Sequence, residues 1–110
     1  MDELDILKEA AKLSPENVPL RRHLAAQFWK AGRLDEANAE LTDLVRMAPG
    51  DATLLFEWSR VLNAQGRYEE AAARLVESLK LNSQNAPAHL LMARVLMALR
   101  QREKAARHYY

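Results

Sequence analysis

The side chains with most chemistry to offer in this 110-residue chain are arginines set among apolar residues at helical spacing. Arg60 and Asn63 are three residues apart, as are Arg94 and Met97, so each pair shares one side of a helix. Arg60 and Arg94 are themselves 34 residues apart. A guanidinium presents a planar fork of donors that grips a carboxylate through two hydrogen bonds, which an ammonium group does less well. Two such groups side by side, with apolar residues between them, would hold an acidic segment with hydrophobic anchors.

Other chemistries are thinly represented. His23, His89 and His108 lie far apart, and no two have ligand spacing on one helix, so they read as surface or packing residues and no metal is expected. The chain has no cysteine, which excludes disulfides, thiolate metal sites and cysteine nucleophiles. It has no glycine-rich phosphate loop, no His-Glu-x-x-His and no Gly-x-Ser-x-Gly. Ser14 reads as part of a helix end, and Tyr109 and Tyr110 as core and rim of a last helix. The expectation is a non-catalytic chain without cofactors.

The elements that position the arginines follow from an internal repeat. Shifted by 34, the sequence falls on itself: Gly32 meets Gly66, Ala37 meets Ala71 and Ala105, and Leu7 meets Leu41, Leu75 and Tyr109. Leu13 meets Met47 and Leu81, Leu24 meets Trp58 and Met92, and Phe28 meets Leu62 and Leu96. Pro15 meets Pro49, and Asp35, Glu69 and Glu103 coincide. Each coincidence has a physical meaning. Glycine permits the left-handed turn that ends a helix. Acidic residues suit the positive end of the next helix dipole, and the small alanine after them lets two helices approach closely. Proline marks where a helix stops. Between these marks apolar residues recur at three and four, as in Leu41, Leu44, Val45 and Ala48.

This spacing predicts seven helices, at about 2–13, 17–31, 35–48, 52–65, 69–82, 86–99 and 102–110. The short loops make neighbours antiparallel. No alternating run supports a strand. The expected architecture is all-α, within one domain spanning 1–110: a half repeat at 1–17, full repeats at 18–51 and 52–85, and an incomplete repeat at 86–110.

At this point the chain resembles the tetratricopeptide repeat (TPR) family. Leu24-Ala25, Phe28, Gly32, Ala37, Leu41 and Pro49 carry the resemblance in one repeat. Trp58-Ser59, Leu62, Gly66-Arg67-Tyr68, Ala71 and Leu75 carry it in the next. It departs from the pattern at Arg100, where glycine is expected, at Arg102, where an aromatic is usual, and at Glu3, where the small alanine is expected. The resemblance implies a right-handed solenoid whose first helices line a concave face that holds an extended or helical peptide. The family's groove positions map onto Arg22, Ala26, Trp29 and Lys30, then Phe56, Arg60 and Asn63, then Leu90, Arg94 and Met97. The peptide-binding residues expected are Arg22, Trp29, Phe56, Arg60, Asn63, Leu90, Arg94 and Met97. The carboxylate clamp of some relatives is not expected, because Ala26 stands where it needs asparagine. The stretch Ser14-Pro15-Glu16-Asn17-Val18-Pro19-Leu20-Arg21 is similar to segments preceding AAA+ ATPase modules in some bacterial proteins, which implies a larger bacterial host protein.

Charge bounds the partners. The net charge is +1, and aromatics for base stacking are few, so nucleic acid is not expected. No apolar run reaches the length of a membrane helix, and the acidic start Met1-Asp2-Glu3-Leu4-Asp5 is unlike a signal peptide, so a cytoplasmic location is expected. The balance is uneven along the chain. Residues 1–17 carry two basic and five acidic side chains, and residues 86–110 carry five basic and one acidic. Leu4, Leu7 and Ala11 at one end and Ala105, Ala106 and Tyr109 at the other lack a next layer. Head-to-tail self-association, strengthened by opposite charges, is therefore the alternative to peptide binding.

Overall fold

The computed structural model describes residues 2–109, with His108 and Tyr109 described as backbone alone. The expected core and rim places of Tyr109 and Tyr110, and the His108 side chain, lie outside the described residues. The described residues form six helices and no strand: α1 Glu3–Leu13, α2 Val18–Lys30, α3 Leu34–Met47, α4 Ala52–Ala64, α5 Tyr68–Leu81 and α6 Ala86–Tyr109. Contacts divide the chain into two compact units, Met1–Gly50 and Asp51–Tyr110.

In the first unit α1 packs on α2 and α2 on α3. Asp2 opens α1 with a capping box, and Asn17 caps α2 by accepting from the Leu20 amide at 3.1 Å. Pro19 falls in the first turn of α2, where its missing N–H costs nothing. Leu24, Ala25, Phe28, Ala37, Leu41 and Leu44 form the buried core. Ala11 is the residue of α1 that joins it, consistent with Glu3 occupying the small-residue position. Ser14 is the C-cap of α1, and Pro15 and Pro49 each follow a C-cap residue.

In the second unit α4 packs on α5, α5 on α6, and α4 touches α6. Asp51 caps α4, accepting from the amides of Thr53 and Leu54. Leu62, Ala71, Leu75, Ala88, Leu91 and Val95 make one buried cluster. Two serines sit within the packing. Ser59 Oγ donates to the Phe56 carbonyl at 2.6 Å, and Ser78 Oγ donates to the Ala52 carbonyl at 2.8 Å, tying α5 to the start of α4.

The helix stops explain both the repeat and its one interruption. Gly32 and Gly66 adopt φ of +73° and +77°. The Arg33 and Arg67 amides reach back to the carbonyls of Phe28 and Leu62, both at 2.9 Å, and the two glycine amides reach Trp29 and Asn63. That is the Schellman closure, which needs a left-handed residue. Position 100, one period later, is arginine, and the break expected at 100–101 does not form. The sixth and seventh expected helices are one helix of 24 residues. Beyond that point Arg102 lies 5.6 Å from the Tyr68 ring centroid and 3.5 Å from Glu69, both on α5.

Candidate functional site

Six of the eight expected binding residues stand in the second unit, on two helices that touch. Phe56, Arg60 and Asn63 are on α4, and Leu90, Arg94 and Met97 are on α6. Phe56 is half-buried against the core cluster, and the Arg60 guanidinium carbon lies 5.7 Å from its ring centroid. At that distance the cation and the ring attract one another. On α6, Leu90 and Met97 remain 55 % and 63 % exposed, with Arg94 exposed between them. Large apolar side chains at i and i+7 with a cation at i+4 make one continuous stripe. Arg22 and Trp29 are half-buried on α2, in the first unit.

The side chains of His23 and His89 are both exposed. His23 Nε2 is 3.8 Å from Glu3, and His89 Nε2 is 2.8 Å from the Ser83 carbonyl.

Sequence reasoning passed over a second kind of surface. In the first unit a hollow of about 360 Å³ opens above Leu24 and Phe28, walled by Lys8, Lys12, Glu36 and Glu40. In the second unit a hollow of about 320 Å³ is lined by Trp58, Leu62, Glu70, Ala73 and Arg74. Those five positions are the first unit's Leu24, Phe28, Glu36, Ala39 and Glu40 moved by one repeat, so the 34-residue period was the available signal. The first hollow is rigidified by Arg21, which donates to Glu40 at 2.8 Å and Asp43 at 3.1 Å. Burial opposes the Arg21 charge, but hydrogen bonds and attraction from the two carboxylates outweigh it and hold its pKa above the ordinary arginine value.

Comparison with known proteins agrees with this architecture. Residues 62–109 match the tetratricopeptide repeat profile. Over that segment the chain carries tetratricopeptide repeat sequence. A solved structure named MamA AMB-1 superposes with a TM-score of 0.83 at 21 % identity, covering 96 % of this chain and 63 % of that one. The chain thus spans less than two thirds of MamA. The first TPR of Spaghetti (RPAP3), solved bound to the HSP90 peptide SRMEEVD, superposes with a TM-score of 0.81 at 18 % identity, covering 87 % of this chain and 76 % of that one. The Arabidopsis OM64 TPR domain gives 0.77 at 24 % identity over 84 % of this chain and 76 % of its own. No curated protein matches the chain. Among the described residues no helix is long and apolar enough to cross a membrane.

Proposed function

We propose that this chain is a non-catalytic protein-interaction module that takes an acidic peptide segment with apolar anchors. The observation that carries this reading is the α6 stripe of Leu90, Arg94 and Met97 in the unit where α4 carries Arg60 and Asn63. Burying Leu90 and Met97 would contribute the affinity, at about 1.5–3 kcal/mol for each fully covered side chain. Arg60 and Arg94 would supply the charge selection, since unlike charges steer and like charges reject. Arg22 and Trp29 are assigned the same role on α2. The Spaghetti (RPAP3) neighbour supports the choice of ligand class: its SRMEEVD peptide has three acidic residues beside methionine and valine.

A peptide array tests the reading, with heptamers holding two apolar anchors while their charge is varied. The wild type is expected to retain acidic heptamers about tenfold better than basic ones, since each lost charge-assisted contact is worth about 1.5–3 kcal/mol. Arg60→Glu with Arg94→Glu should abolish that preference with the helical circular dichroism unchanged. Equal retention of acidic and basic peptides by the wild type refutes it, as does an unchanged preference in the double variant.

A further inference from the structure

Two exposed helix stripes in this chain share one spacing and carry opposite charge. On α1, Ile6 and Leu13 are 55 % and 84 % exposed and lie seven residues apart, with exposed Glu9 between them. On α6, Leu90 and Met97 are also seven apart, with exposed Arg94 between them. At about 100° per residue each trio spans roughly 60° of its helix, so each is one stripe on one face. The other side of α1 is already covered: Leu4 and Leu7 are half-buried and Ala11 is buried, so the free apolar surface there is not the one these three would have made. Spacings of three and four make the seam between two paired helices. Along α1 the order Ile6, Glu9, Leu13 steps by three and then four. Against the chain direction on α6, Met97, Arg94, Leu90 does the same. Antiparallel helices therefore bring the trios level, Ile6 with Met97, Glu9 with Arg94 and Leu13 with Leu90. That direction also carries the acidic start of α1, with Asp2, Glu3 and Asp5, to the end of α6 that holds Arg100 and Lys104.

We propose that the acidic, apolar segment accepted by this face of α6 is α1 of a second copy of the chain, docked antiparallel in that register. This rests on reading Leu90, Arg94 and Met97 as a binding face, and it names the occupant. The apolar layers on either side keep water from the Glu9–Arg94 pair, and so strengthen a contact that contributes little at an open surface. Glu9 meets Lys12 of its own helix at 3.3 Å, an exposed pair that exchanges readily for the new one. The charge balance supports the match, with five acidic and two basic residues over 1–17 against one acidic and five basic over 86–110. Because α1 and α6 are different surfaces, the contact is heterologous. Each copy offers α1 to one neighbour and α6 to another, and copies add head to tail until a ring closes. Two apolar layers around one charged layer make a small interface, which forms at high concentration and reverses on dilution.

The chain has no cysteine, so introduced thiols report the register. An Ile6→Cys chain is mixed with a size-tagged Met97→Cys chain under a mild added oxidant. A disulfide-linked product of one tagged and one untagged chain is expected, and likewise for Leu13→Cys with Leu90→Cys. The crossed mixtures, Ile6→Cys with Leu90→Cys and Leu13→Cys with Met97→Cys, should stay single chains. Equal product from crossed and matched mixtures, or none from any, overturns the proposal. For the cysteine-free chain, light scattering should show a mass that rises with concentration. Glu9→Arg and Arg94→Glu should each weaken this association about tenfold or more, since attraction becomes repulsion. Both reversals in one chain should restore it. A single-chain mass at every concentration refutes the pairing, as does a double reversal that associates no better than the single ones. The heptamer array keeps the two readings apart. Acidic heptamers retained by a chain that gives no matched product overturn the self-pairing and leave the peptide reading standing. Matched product from a chain indifferent to heptamer charge establishes the pairing and overturns the peptide reading.

Discussion

Replacing Gly66 by alanine isolates the cost of one backbone angle. Its φ of +77° belongs to the left-handed region, and a Cβ built there would meet nothing within 4 Å. No side chain must move, so the penalty is the local clash of Cβ with its own backbone, about 1–2 kcal/mol. Alanine also restricts the unfolded chain, which returns about 0.4–1 kcal/mol. The expected net loss is about 1 kcal/mol. Gly50 is the internal control. It too has open space around its Cβ position, but it lacks a positive φ, so Gly50→Ala should gain about 0.4–1 kcal/mol. The two variants should therefore differ by about 2 kcal/mol. Urea unfolding followed by helical circular dichroism measures this, with the denaturant slope checked in each case because repeat proteins can unfold in parts. Gly66→Asn should recover part of the loss, since asparagine tolerates the left-handed region. Equal midpoints for Gly66→Ala and Gly50→Ala would refute the reasoning, because the backbone angle is the one feature that separates them.

Equivalent repeat positions should respond unequally to truncation. Leu62→Ala should cost about 2–5 kcal/mol, whereas Leu96→Ala should stay within about 0.5 kcal/mol in dilute solution, where only the chain's own contacts count. Denaturant midpoints check both. Asp51→Ala removes the acceptor for two amides at the start of α4 and should cost about 1 kcal/mol. Ser78→Ala breaks the tie between α5 and the Ala52 carbonyl and should cost a similar amount; amide exchange near Ala52 should quicken. Arg21→Gln should destabilise by about 1–3 kcal/mol through loss of the Glu40 and Asp43 bonds. The Arg21 pKa is raised on folding, so its contribution is complete below the unfolded value and is lost only as pH rises through the folded one. Both lie above the range of ordinary buffers, so the wild-type advantage over Arg21→Gln should hold from about pH 7 to about pH 9.

Much of the second unit was legible because its determinants are local. Gly66, the acidic pair Glu69-Glu70 and Ala71 each act within a turn or two of their own position, and the helices begin and end within a residue or two of where these marks put them. The candidate binding face was legible only as far as one helix carries it. Spacing places Leu90, Arg94 and Met97 on one stripe of α6, but exposure of that stripe depends on what neighbouring helices cover. The hollows above Leu24 and Phe28, and around Trp58 and Leu62, were missed because each is a space between side chains from different helices. No periodicity within a single helix encodes such a space.

By itself the sequence determined an all-α chain of 34-residue repeats, with its helix caps, its left-handed stops and the small residues that let helices approach. These are short-range matters of backbone angle, hydrogen-bonding groups and apolar period. Only the tertiary structure decided the fate of residues 100–101. The repeat predicts a turn there, and local sequence removes just the glycine that would ease it. There α6 continues, and just beyond these positions Arg102 meets Tyr68 and Glu69 of another helix. Whether a helix without a strong stop bends or continues is settled by the neighbour it can reach, and that neighbour is set by packing rather than by sequence position.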